Sequence, residues 1–135
     1  MCKIGDIIAI KKFIGDDNAL VNLHYFVVIS DEKGCIGGLS FDIVSVVMSS
    51  FKNNDHRANK LKHIENIEIR TIDGKIYDEK IKSGYIKVDQ LFYFNKRKIQ
   101  YFVVGQVDGD VLLKILEHLD YLDSLNLVKQ NIYNL

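Results

Sequence analysis

His24-Tyr25-Phe26-Val27-Val28-Ile29-Ser30 is a run of aromatic and β-branched residues with no charged break between Tyr25 and Ile29. A short, continuously apolar run of this kind has the pattern of a strand buried on both faces. Upstream, Gly5-Asp6-Ile7-Ile8-Ala9-Ile10 opens a first strand over residues 6–11. Between them, Gly15-Asp16-Asp17-Asn18 gathers turn formers, so residues 13–23 read as a loop or loose hairpin connection. His24, which can carry a proton near neutral pH, stands where the second strand begins.

Outward from this pair the chain continues in strands. Asp31-Glu32-Lys33-Gly34 and Gly37-Gly38 interrupt it, and residues 41–49, with Ile43, Val44, Val46 and Val47, are again β-branched. Glu65–Ile72 alternates as a half-exposed strand, and Asp73-Gly74 signals a hairpin turn. Tyr85–Phe94 is a long strand, Asn95-Lys96-Arg97-Lys98 a turn, and Ile99–Val107 a returning strand. From Val111 the apolar residues fall at helical spacing, with Asp108 or Asp110 able to cap the start, and Leu112, Leu113, Leu116 and Leu119 are expected in the core. Six or seven strands and one C-terminal helix, without βαβ alternation, predict a mainly β (α+β) single domain over 1–135, a small antiparallel barrel. Residues 124–135 extend the helix, pack on the barrel or fray; the pattern leaves all three open.

Composition narrows the function classes. At 135 residues the chain is long enough to bury one core, and 27% charged residues supply a hydrated surface. Eighteen cations balance eighteen acids, so any attraction to nucleic acid must come from local segregation of charge. Cys2 and Cys35 form neither a disulfide framework nor a ligand pattern, and the four histidines do not pair with them at metal spacing; free thiols, a cytoplasmic location, no metal and no cofactor are expected. The apolar runs are far shorter than the roughly 20 residues of a membrane helix, so no membrane partner is expected. One segment breaks the neutrality. Residues 51–63, FKNNDHRANKLKH, hold Lys52, Arg57, Lys60 and Lys62 against Asp55 alone, a net +3 before either histidine is protonated.

Five pieces taken in order resemble the MazF/PemK family, the endoribonuclease toxins of bacterial toxin–antitoxin pairs. Gly5-Asp6-Ile7-Ile8 is similar to the family's opening strand, Val27-Val28-Ile29-Ser30 to its R-P-x-x-V-I-S strand, and Val46-Val47-Met48-Ser49-Ser50 to the strand ending in a Thr/Ser pair. Ser83-Gly84-Tyr85-Ile86-Lys87-Val88-Asp89-Gln90 resembles its S-x-V-L-x-D-Q segment, with Lys96-Arg97-Lys98 in the basic turn that follows. Val104-Gly105-Gln106-Val107 and the helix over 109–123 resemble its closing elements. The resemblance implies an SH3-like barrel of the CcdB/MazF/PemK kind, a homodimer, and a toxin that inhibits growth by cutting single-stranded RNA such as mRNA without a metal. It also implies a cognate antitoxin protein as partner. His24 stands where the family keeps its cleaving arginine, Tyr25 where it keeps a proline, and Met48 where it keeps a threonine, with Ser49 next to it.

Metal-free cleavage through the 2′-hydroxyl needs a base, an acid for the leaving 5′-oxygen, and cations for the phosphorane. His24 is chemically suited to proton transfer and Ser49 to binding a phosphate oxygen, while His56 and Arg57 can supply the acid and cation in place of the missing arginine. In the 51–63 segment, read as a mobile loop, Lys52, Lys60 and Lys62 are the phosphate contacts, and Phe51 and Tyr25 offer faces for base stacking, with Tyr93 near the strand ends in question. The alternative from another class is a catalytically inactive barrel that binds RNA or a protein partner.

Overall fold

The computed structural model describes residues 2–70, 72–78, 81 and 83–135. The chain forms β1 (Asp6–Ile14), β2 (Leu20–Ser30), β3 (Gly34–Ile36), β4 (Leu39–Phe41), β5 (Ile43–Ser50), α1 (Asn54–Leu61), β6 (Asn66–Ile69), β7 (Gly74–Ile76), β8 (Gly84–Phe94), β9 (Tyr101–Val107), α2 (Gly109–Ser124) and β10 (Lys129–Asn131). It is a mainly antiparallel β structure with two helices. The main sheet runs β10-β8-β5-β2-β1-β9-β7, with β6 also pairing β8, and β3-β4 form a separate ribbon.

The β1–β2 connection is tighter than the loop expected over 13–23, because Ile14 still pairs Leu20 and Asn18 takes the left-handed conformation (φ 62°) that closes the turn. At Asp73-Gly74 the Asp73 carboxylate accepts from Arg70 N at 2.8 Å, yet no hairpin results: β6 pairs β8 whereas β7 pairs β9. The segment expected to be a mobile loop is largely helix α1, begun by Asn53, whose side chain accepts from His56 N. None of its residues is buried, so it carries no apolar stripe by which periodicity could reveal it. Residues 129–131 do none of the things a frayed terminus would. They add β10 to β8 in parallel, the one departure from antiparallel pairing among the described strands.

Two cores lie on the two faces of the sheet. On one, Ile7, Val27, Val46 and Ile86 pack under α2, which buries Ile115 and Leu122 completely. Leu116 and Leu119 of the expected stripe pack against this core, whereas Leu113 is 57% exposed and does not belong to it. The other face gathers Ile8, Ile10, Phe13, Phe26, Val28, Phe92 and Phe94 without any helical residue among those described. Phe13 of β1 meets Phe92 of β8 at 5.9 Å between centroids. Three strand spacings separate β1 from β8, roughly 14 Å on a flat sheet. The sheet must coil strongly for these rings to touch, and it thereby buries this face against itself. No helix among the described residues is long and apolar enough to cross a membrane.

Candidate functional site

The ladder between β2 and β5 ends at the pair Tyr25↔Met48, although β2 itself runs back to Leu20 as the partner of β1. Past that pair the two strands part, and a cleft of about 170 Å³ opens, lined by Leu23, His24, Tyr25, Met48, Ser49, Ser50 and Ile81. His24 and Ser49 are the first residues beyond the last pair, one on each side of the opening. Three sequence-proposed residues, His24, Tyr25 and Ser49, thus meet at one cleft.

His24 and Tyr25 leave β2 on opposite faces. His24 pairs Ile10 and its ring stands edge-on to Phe13 at 6.0 Å, with the all-strand core. Its Nδ1 is buried without a hydrogen-bond partner. A buried polar atom in that condition calls for an explanation, since most find a partner. Tyr25 packs on the helix-covered core, and its hydroxyl donates to Asp78 Oδ2 at 3.4 Å. Burial, and then the Asp78 charge, push the Tyr25 phenol above its ordinary value.

Ser49 pairs Tyr85 on β8, and Tyr85 in turn pairs Glu68 on β6. Directly opposed residues share a face, so Ser49, Tyr85 and Glu68 form one cross-strand row leading away from the cleft. Above it Phe51 stacks on Tyr85 (5.1 Å, 29°), and His56 stands edge-on to both rings at 6.3 Å. The N-terminal turn of α1 orients His56. Its Nδ1 accepts from Lys52 N at 3.0 Å, which leaves Nε2 carrying the proton as a donor. Arg57 lies over Phe51 at 6.0 Å, and its Nε and Nη2 both reach Glu68 Oε1, at 3.1 and 2.5 Å.

The remaining cations spread out along α1. Lys52 and Lys62 are exposed, and Lys60 is half-buried with its carbonyl accepting from Asn66 Nδ2. Tyr93 is at the other end of β8, packed on Phe41 with its hydroxyl accepting from Gln130 Nε2, and is not part of this cleft. The aromatic that does belong here, Tyr85, was passed over, as was Glu68. Their only sequence signal is position, Tyr85 at the start of a strand and Glu68 on the polar side of an alternating one. Among the described residues no group of three or more His, Cys, Asp or Glu could hold a metal ion. Both cysteines are free. No protein-family model matches the chain, and no curated protein matches it.

Proposed function

We propose that this chain is a MazF/PemK-like endoribonuclease, an SH3-like barrel with a C-terminal helix that cuts single-stranded RNA without a metal, acts as a homodimer and is neutralised by an antitoxin. The observation that carries the reading is the cleft at the parting of β2 and β5. It sets His24 opposite Ser49 and continues through Tyr85 into the Phe51, His56 and Arg57 cluster. The coiling that brings Phe13 onto Phe92 supports the barrel.

In this reading a base stacks on Phe51, whose ring is seated on the buried Tyr85, and its phosphate lies between Ser49 and the cations of α1. His24, through Nε2, takes the 2′-hydroxyl proton as that oxygen attacks phosphorus. The bond from phosphorus to the 5′-oxygen breaks, and the departing oxygen takes a proton from solvent, while His56 donates a hydrogen bond from Nε2 to the phosphate. The products are a 2′,3′-cyclic phosphate and a 5′-hydroxyl, with no oxidant or metal needed. Arg57 and Lys52 stabilise the crowded phosphorane charge.

One observation favours the second reading, a silent RNA- or protein-binding barrel: the Arg57 guanidinium is already engaged by Glu68. The two part on one experiment. Long single-stranded RNA is incubated in EDTA with wild type and with His24→Ala. Cleavage that disappears with the imidazole supports the enzyme, and RNA retained intact by both proteins supports the binding module.

A further inference from the structure

The turn Lys96-Arg97-Lys98 finds a partner surface in the fold. At the far end of β2 and β5, six residues or roughly 20 Å along the strand from His24, the β3-β4 ribbon folds beside it. Together they border a second, open cleft of about 420 Å³. Lys33, Ser40, Phe41, Asp42, Asn95 and Arg97 are among the residues that line it. We infer that this cleft binds a nucleoside monophosphate, independently of the RNA site.

Lys33 and Arg97 stand at the cleft with their charged groups in no ion pair among the described residues, although opposite charge is abundant in this neutral chain. Two exposed cations bordering one concave surface suit a phosphate, and a guanidinium suits it best because its fork matches two phosphate oxygens. Ser40 adds a hydroxyl that can donate to the same group.

The rest of the lining asks for more than phosphate. Phe41 is held in place on two sides. Its ring meets Tyr93 edge-on at 4.9 Å, and it lies so close to Gly34 that a Cβ there would come within 2.5 Å of its Cζ. A half-buried aromatic fixed in this way is a platform for a flat ring. Asp42 is fixed too, one carboxylate oxygen accepting from Lys96 N at 2.9 Å. A carboxylate placed beside cations weakens the site for a bare anion and rewards a ligand that also brings donors, as ribose hydroxyls do. Cations, ring and acceptor within a volume in the ordinary range for small-molecule sites describe a nucleotide better than inorganic phosphate.

The test is titration of the full chain, followed by amide chemical shifts, with AMP, CMP, adenosine and inorganic phosphate. Wild type and the variants Arg97→Gln, Phe41→Leu and His24→Ala are compared, each first checked for native near-ultraviolet dichroism. AMP or CMP is expected to shift residues 33–42 and 95–97 and to bind at least tenfold more tightly than phosphate or adenosine. Arg97→Gln should weaken that binding about tenfold, and Phe41→Leu should reduce the nucleotide to the level of phosphate. His24→Ala should leave it unchanged, so that loss of RNA cleavage and loss of nucleotide binding are read separately. Equal binding of phosphate and nucleotide, binding indifferent to Arg97, or no shift at millimolar nucleotide would each overturn the inference.

Discussion

Tyr25 and Met48 are the last paired residues of β2 and β5, and the cleft that holds His24 and Ser49 begins at the next residue on each strand. The site is a consequence of unequal strand partnership. β2 keeps β1 as far back as Leu20, while β5 keeps β8 as far as Ser50, so each strand runs on with its outer partner after the two have parted. A polar side chain at such a point sits between a packed core and solvent, where an imidazole can be held by packing and still reach a ligand.

His24 carries a stability penalty that its proposed role explains. Its Nδ1 is buried without a partner beside Phe13, so an apolar ring should suit the position better. His24→Phe is expected to raise stability by about 1 kcal/mol, roughly 3–5 °C in Tm for a chain of this size. RNA cleavage should be lost at the same time. Calorimetry showing a lower Tm would mean that the imidazole is satisfied and structural.

Glu68 engages the Arg57 guanidinium that the proposed function assigns to RNA phosphate. The pair is partly solvent-facing, 45% and 27% exposed, so screening holds its contribution to stability to less than about 1 kcal/mol. Glu68→Gln should leave Tm within a degree or two while tightening single-stranded RNA binding severalfold, most clearly at low salt. Weaker binding in a filter or anisotropy assay would show that Glu68 positions Arg57 for RNA instead of competing with it.

Asn131 is fully buried on β10, and both atoms of its amide lack partners. Desolvation without hydrogen bonds is unfavourable, and leucine has a similar volume. Asn131→Leu should therefore stabilise the chain by about 1–2 kcal/mol in urea unfolding. A destabilised variant would show that the amide is paired in solution.

Asp89 predicts a pH dependence. Burial, then the Glu65 charge, raise its carboxyl above the ordinary 3.8, with Lys87 opposing, and its Oδ1 is buried without a partner. The folded chain thus holds a proton that the unfolded chain releases, so this contribution is complete below 3.8 and is lost as pH rises through the folded value. Asp89→Asn should gain on wild type over that window and keep a constant advantage above it. A difference in unfolding free energy that does not change with pH would contradict the assignment.

What the sequence revealed follows from how each element is stabilised. Residues 25–30 and the α2 stripe bury contiguous apolar residues, so their periodicity was legible. Helix α1 rests on capping by Asn53 and on contacts of Arg57 and His56, and such support leaves no apolar periodicity to read. β3, β4, β7 and β10 are three residues each, too short for an alternating pattern. His24 is legible as a titratable residue at a strand edge and Ser49 through the family resemblance, but their meeting depends on strand register, and so does the row through Tyr85 and Glu68. Register of this kind is set by long-range pairing that local spacing does not encode.

The central claim is that the cleft between β2 and β5 cleaves RNA. Its most direct measurement is the end chemistry of a long single-stranded RNA incubated with the purified wild-type chain in EDTA. Mass spectrometry of the products should find 2′,3′-cyclic phosphate and 5′-hydroxyl termini that are absent when His24→Ala replaces wild type. RNA that is bound by the wild-type chain yet recovered at full length would contradict it.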